Sequence, residues 1–303
     1  MQQKNETLKN DNIEIEIPAA GQEFEKGFIN ISLAQQVLHC EHHELINTFR
    51  KLLPDHQPIL EAGCGSGCWV IWFANNGWQT IGLDWSSTLI NRARFEYPKL
   101  RFEIGDLRIM PFQDEEFGSI VSLGAIEHSS EGPIRAIKEF HRILKPGGIA
   151  IITVPYLGPI RRITRGLFNE PIRILKRNRY LRSLFNKYTG ERTIEEVNRR
   201  LIPQYAVDYT ITKDGWDFFQ YYFTEKQIHS LLEEANFTIL EGFPEFLDDG
   251  ILHTFGSITG KFDFQQGKVS FSWFGKILRK IIPVEIIGHM YCCIVIKTNE
   301  KNN

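Results

Sequence analysis

A short apolar stretch, Pro58-Ile59-Leu60, runs straight into Glu61-Ala62-Gly63-Cys64-Gly65-Ser66-Gly67 and then into a helix-forming segment. No other feature constrains the fold as much. Glycines at alternate positions let the backbone turn sharply and bring N–H groups and a helix N-terminus close to a ligand. The same residues also suit a tight strand-to-helix connection that binds nothing. Context favours the crevice of a doubly wound sheet, which opens at the carboxyl ends of its strands.

The strand–helix rhythm repeats downstream. QTIGLD (79–84), LRFEIGD (100–106), GSIVSLGA (118–125) and GIAIITVP (148–155) read as further strands, with helices between them. Alternation at this pitch indicates a parallel sheet covered on both faces. Lys145-Pro146-Gly147-Gly148 reads as a helix stop and turn. Upstream, 33–53 has helical spacing in Leu38, Leu45, Ile46, Phe49 and Leu53. After 155 the rhythm breaks. It resumes at Thr224-Glu225-Lys226-Gln227, a capping box. A strand at 237–243 and a last one at 289–298 follow. The chain therefore divides into a tail and helix (1–53), a ligand-binding α/β core (54–155), a basic and aromatic helical insertion (156–222), and completion of the core (223–303) with an irregular loop at 244–288.

Carboxylates stand at consecutive strand ends. Asp84 ends the second strand and can accept hydrogen bonds from two vicinal ribose hydroxyls; it equally suits the start of the following helix. Asp106 can take the amino group of a base edge, and Glu61 an ammonium. Such an acidic mouth favours a ligand with hydroxyls and positive charge over a polyphosphate. A nicotinamide cofactor prefers G-x-G-x-x-G, whereas this turn reads G-x-G-x-G, and no Gly-Lys-Ser/Thr follows for a phosphate loop.

Together, ILEAGCGSG, IGLDWS, the Gly-Asp pair and LKPGG before a strand resemble the class I S-adenosylmethionine-dependent methyltransferases, in the small-molecule (type 11, quinone methyltransferase-like) branch. The resemblance covers 58–155 closely and 224–243 and 289–298 loosely. It implies a Rossmann-like, seven-stranded, mostly parallel sheet with an antiparallel last strand, and S-adenosyl-L-methionine as cofactor. It implies that Gly63, Gly65 and Gly67 face the methionine end, with Glu61 near the amino group. Asp84 would bind the ribose, Trp85 would pack beside the adenine, and Asp106 with the Leu107 backbone would meet the base. Leu123 and Gly124 would lie near the sulfonium.

For chemistry, His128 in GAIEHSS is the candidate general base, with Glu127 beside it; His128 also suits packing of the following loop. The fourth strand ends LGAIEH, without the Asn/Asp-Pro-Pro-aromatic element of family members that act on planar amino nitrogens. That points to an oxygen or carbon acceptor on a small or lipid-like molecule and away from nucleic acid. Tyr221 and Tyr222, in the aromatic run 216–223, are the candidate acceptor contacts. His39, His42 and His43 fall in a helix without a fourth ligand, so they read as a solvated face and no metal is expected.

The 303 residues are 42% apolar and 24% charged, with a formal charge of −2, which excludes a wholly disordered chain and argues against a general nucleic-acid binder. Nine Lys/Arg against Glu170 in 161–187 leave that stretch strongly basic. Interleaved with apolar residues, 160–187 reads as a lid or as a peripheral membrane contact, as does 271–282. Five cysteines without a paired motif, a polar N-terminus and no long apolar run suggest a cytoplasmic protein, peripheral to the membrane at most. Two other readings stay open: a non-catalytic, membrane-associated cofactor-binding protein, and a nicotinamide-dependent oxidoreductase.

Overall fold

The structure is a computed structural model that describes residues 9–10, 13–14, 25, 27–165, 193–212, 215–263 and 267–298. Its centre is a seven-stranded sheet. The strands are β1 (Ile59–Ala62), β2 (Thr80–Asp84), β3 (Arg101–Ile104), β4 (Phe117–Leu123) and β5 (Leu144–Pro155). A two-stranded hairpin follows, β6 (Ala206–Thr212) with β7 (Gly215–Tyr222), and then β8 (Phe237–Glu245). A second small hairpin joins β9 (Gly260–Asp263) to β10 (Lys268–Phe271), and β11 (Met290–Lys297) closes the sheet. The sheet order is β8-β11-β5-β4-β1-β2-β3. Only β11 runs antiparallel to its neighbours. Strand order reverses at β1 and β4, so their carboxyl ends splay their loops apart and open the crevice there.

The strands are apolar because both faces are covered. On one face α5 (Ile134–Ile143) and α8 (Glu225–Glu234) bury Ile137, Phe140, Ile228 and Leu232 against Leu60, Ile120 and Ile152. On the other, α1 (Leu33–Cys40), α2 (Ile46–Leu52) and α3 (Cys68–Asn75) pack Phe49, Trp69, Trp72 and Phe73 against Ile59, Val121 and Ile151. A further helix, α4 (Ser87–Glu96), buries Leu89, Ile90 and Ala93. The α8 capping box forms as expected: Thr224 accepts from the Gln227 N–H, and the Gln227 side chain accepts from the Thr224 N–H at 2.9 Å.

Four expectations need correction. The helix expected over 33–53 is two helices broken at 41–45, and the break turns His43 inward, against Trp69 and Phe246, rather than onto a solvated face. Leu38, placed on the apolar face, is exposed. The Lys-Pro-Gly-Gly turn lies inside β5, where Gly147 takes φ +77° and the pairing with β4 shifts register.

The largest corrections concern the insertions. The described part of 156–222 is a short α6 (Pro159–Thr164), a capped α7 (Ile194–Asn198) and the β6–β7 hairpin, not a purely helical lid. The basic stretch beyond Arg165 lies outside the described residues. The "loop" 244–288 carries α9 (Leu247–Phe255), the β9–β10 hairpin, α10 (Trp273–Ile281) and α11 (Val284–Ile287). They close a small core of their own around Ile251, Leu278 and Ile287.

Candidate active site

The glycine turn is fixed by backbone bonds to the next strand. The N–H groups of Gly63 and Cys64 both donate to the Leu83 carbonyl, at 2.8 and 2.9 Å. All three glycines have positive φ, but for different ends. A Cβ on Gly63 would fall 2.3 Å from the Ala125 Cβ, and one on Gly67 would fall 2.4 Å from the Phe102 ring. These two are glycines for close packing. At Gly65 the nearest atom to an added Cβ is Phe28 Cζ at 4.0 Å, so this glycine faces the open side of the turn.

Asp84 binds the turn together. Its Oδ2 accepts from Gly65 N at 2.8 Å and its Oδ1 from Ser86 N at 2.9 Å. Burial raises its pKa, and the two N–H groups pull it back. Each carboxylate oxygen keeps a second acceptor direction, which is what a pair of ribose hydroxyls requires. Asp106 follows one strand further out. Arg108 holds it through its guanidinium, with Nη2 to Oδ2 at 2.6 Å and Nε shared between Oδ1 at 3.0 Å and Oδ2 at 3.1 Å, and donates its backbone N–H to Oδ1 at 2.8 Å. Trp85 is half-buried, and Leu107 packs against the core.

Glu61 belongs less to this mouth than its position suggests. It is buried and its Oε2 accepts from Val70 N at 2.9 Å, satisfying an otherwise orphan N–H in the first turn of α3. Burial holds its pKa well above the carboxylate range. The acids that line the crevice are thus Asp84 and Asp106, with Glu61 beneath the turn.

A segment the sequence left as tail completes this side. Gln36 donates to the carbonyls of Phe28 and Ile31, at 2.9 and 3.0 Å, and accepts from Ser66 Oγ at 2.5 Å. Arg92 holds the carbonyls of Phe28, Ile29 and Ile31. Glu25 accepts from Ser86 Oγ at 2.5 Å, and its charge adds to the rise in the Asp84 pKa. Residues 25 and 27–31 therefore lie across the carboxyl ends of β1 and β2. No local pattern announces this, since its partners lie up to 64 positions away.

Across the switch point, β4 ends at the half-buried Leu123, and Gly124 turns with φ +65°. The following short 3-10 turn, Ile126–His128, brings His128 to the lip. Its Nδ1 lies 2.9 Å from the Phe219 carbonyl, and its ring packs edge-on to Phe219. A carbonyl can only accept, so Nδ1 carries the proton and Nε2 presents a lone pair. Burial lowers the imidazole pKa, favouring this neutral form. Glu127 is buried beside it, with Oε1 3.8 Å from His128 Nε2. Burial pushes its pKa up to about 8, and Oε2 has no hydrogen-bond partner among the described residues.

The two tyrosines differ from expectation. Tyr221 is fully buried; its hydroxyl donates to the Ser130 carbonyl at 2.7 Å and accepts from Ile202 N at 2.9 Å. That hydroxyl staples the hairpin to the loop after His128, which leaves it no bond for an acceptor. Tyr222 donates to Asp208 Oδ2 at 3.0 Å, and the Arg161 and Arg165 guanidinium groups each stack on its ring, 4.9 Å from the centroid. Among the described residues no group of three or more His, Cys, Asp or Glu side chains could hold a metal ion.

The family model for a methyltransferase domain matches residues 60–152. That span runs from β1 through most of β5 and contains the glycine turn, Asp84 and Asp106. This is a class I S-adenosylmethionine-dependent methyltransferase domain, of the type 11 kind. The methyltransferase domain is 37% identical over 100 residues to demethylmenaquinone methyltransferase of Chlorobaculum parvum, covering 33% of this chain and 41% of that protein. It is 36% identical over 110 residues to Probable tRNA methyltransferase 9B of Mus musculus, covering 35% of this chain and 24% of the other. The match therefore spans less than half the length of either curated relative. A solved S-adenosylmethionine-dependent methyltransferase of Methanosarcina mazei shares the fold, with a TM-score of 0.54 at 18% identity over 85% of this chain and all of the other.

The domain's own residues fit its cofactor, S-adenosyl-L-methionine. Asp84 presents acceptors for hydroxyl groups, Asp106 stands at the next strand end with its oxygens held by Arg108, and the space over Gly65 admits a ligand close to the backbone. The glycine spacing, together with this acid-lined mouth, sets aside a nicotinamide cofactor.

Proposed function

We propose that the chain transfers a methyl group from S-adenosyl-L-methionine to an oxygen or carbon of a small or lipid-like acceptor, with His128 as general base. The observation that carries this reading is the Nδ1 contact of His128 with the Phe219 carbonyl, which assigns the proton to Nδ1 and the basic lone pair to Nε2, 3.8 Å from Glu127 Oε1 just past the end of β4. Bound there, the cofactor supplies an electrophilic methyl on a sulfonium.

The protein's larger task is alignment: Asp84, Asp106 and the glycine turn fix one reactant, and the loop after β4 offers a place for the other. Positioning of this kind contributes as much as about 7–11 kcal/mol. Removal of a proton from a hydroxyl acceptor by His128 adds roughly 10²–10⁴-fold. Because burial lowers the imidazole pKa, the base stays neutral below the usual histidine range, so turnover should persist into mildly acid solution.

A second reading is an RNA acceptor, favoured by the match to a tRNA methyltransferase. One experiment separates these. The chain is incubated with methyl-labelled cofactor and a cell extract, and label is followed into the organic-soluble, small aqueous and RNA fractions. Label in the first two that falls in His128→Ala supports the proposal. Label confined to RNA supports the second reading, and cofactor binding without label in any fraction supports a non-catalytic role.

A further inference from the structure

Helix α10 has two apolar sides, and only one of them is packed against other described residues. Gly275 and Leu278 face inward. A Cβ on Gly275 would meet the Thr259 carbonyl oxygen at 2.0 Å, so the helix lies hard against that turn. Its roll is further fixed by Arg279, which pairs with Asp248 at 2.6 Å, and by the Ser272 cap, whose hydroxyl also donates to the Ile258 carbonyl at 2.8 Å. Held this way, the helix turns Trp273 (78% exposed), Phe274 (39%), Ile277 (36%) and Ile281 (66%) to solvent. At about 100° per residue these four fall within an arc of about 100°, the width of a helix face that is normally buried. Ile258, 67% exposed, adjoins the start of the helix.

Single exposed apolar residues need no explanation, but a contiguous patch of this kind does. Its surroundings say what covers it. Lys276 and Lys280 border the apolar arc on one side. Across 255–282 there are five basic residues (Lys261, Lys268, Lys276, Arg279, Lys280) against Asp263 alone, and with Arg279 balanced by Asp248 the surface keeps a formal +3. A second copy of the chain docked here would bring like charges together. An anionic bilayer offers both the apolar depth and the opposite charge, and lysine stems reach from the apolar boundary to headgroup phosphates.

We propose that α10, with the turn at Ile258, is a membrane-docking face that inserts Trp273, Phe274, Ile277 and Ile281 into the interface of an anionic lipid bilayer. The helix is only nine residues long and no described helix is long and apolar enough to cross a membrane, so the contact is peripheral and reversible. The docking subdomain leaves the sheet at the carboxyl end of β8 and rejoins it at β11. These junctions are on the crevice side of the sheet, so docking would hold the crevice near the lipid surface. The face stands whether or not the acceptor is a lipid, and its test needs neither cofactor nor acceptor.

The test is co-sedimentation of the full chain with vesicles of mixed phosphatidylglycerol and phosphatidylcholine, and with pure phosphatidylcholine. Binding is expected to the mixed vesicles, weakening as salt is raised. It should drop roughly tenfold or more both in Lys276→Glu/Lys280→Glu and in Trp273→Ser/Ile277→Ser/Ile281→Ser. Thermal melts of both variants should match the parent, because the changed residues are exposed. Brominated lipid should quench a fluorescence component that Trp273→Phe lacks. Equal binding to both vesicle types, or variants that bind like the parent, would overturn the proposal. So would a dimer in sedimentation that the apolar variant dissolves, or lysine-dependent retention on tRNA in place of vesicles.

Discussion

Asp84 and Glu127 both lie just beyond the carboxyl end of a central strand or at it, and both are buried, yet their surroundings differ. Each Asp84 oxygen accepts a backbone N–H, from residues no more than 19 positions away. Glu127 has an unpartnered Oε2 among the described residues, and its neighbour His128 is held by a carbonyl 91 positions away. The glycine turn is thus preorganised locally, with 27–31 laid over it, whereas the loop proposed for the acceptor is held by a segment far away in sequence. A common cofactor can be served by a local motif. An acceptor pocket is free to vary with whatever insertion is laid over it.

Breaking the acceptor side should have the largest effect. His128→Ala is expected to lower turnover on a hydroxyl acceptor roughly 10²–10⁴-fold with cofactor affinity unchanged, measured by steady-state kinetics and calorimetry. Unchanged turnover would remove His128 from the chemistry. Next comes the pH dependence of stability. The Glu127 pKa stands at about 8 in the folded chain against an ordinary 4.5, so the folded state holds this proton more tightly. Its contribution is full below about 4.5 and is lost as pH rises to about 8. The parent's melting temperature should fall across that window, and Glu127→Gln should flatten the fall.

Smaller changes sharpen the cofactor side. Gly63→Ala should cost about 2–4 kcal/mol in denaturant melts, from the positive φ and from overlap with Ala125. Gly65→Ala, where there is room, should cost about 1–2 kcal/mol from φ alone and act mainly on cofactor affinity. A Gly65 variant as unstable as the Gly63 one would contradict the distinction drawn between them. Thr224→Ala, which removes the α8 cap, should cost about 1 kcal/mol and leave catalysis alone.

The same contrast explains what was legible in the sequence. The glycine turn, Asp84 at the end of β2, the capping box and the closing strand are written in local spacing, and all appear as read. Val207 and Tyr209 alternate with Asp208 and Thr210 along β6, but the arginine-rich stretch before them and the aromatic run after them mask a hairpin. The company of rings around Tyr221 suggests an acceptor contact, yet two backbone partners fix it in the core. Residues 28–31 lie over the turn because Gln36 and Arg92 reach the carbonyls of Phe28, Ile29 and Ile31, which periodicity does not report. Helices α9 to α11 are short and punctuated by Gly256, Pro283 and Gly288, too broken to stand out from a loop.

The central claim is that the crevice lined by Asp84, Asp106 and the glycine turn holds the nucleoside of the methyl donor. Calorimetric titration of the full chain with S-adenosylhomocysteine, alongside Asp84→Ala and a thermal melt of each, tests it most directly. The account predicts saturable one-site binding by the parent and a loss of roughly tenfold or more in the folded variant, the worth of hydrogen bonds to a charged group. Equal affinity in parent and variant, or no binding by the parent, would contradict it.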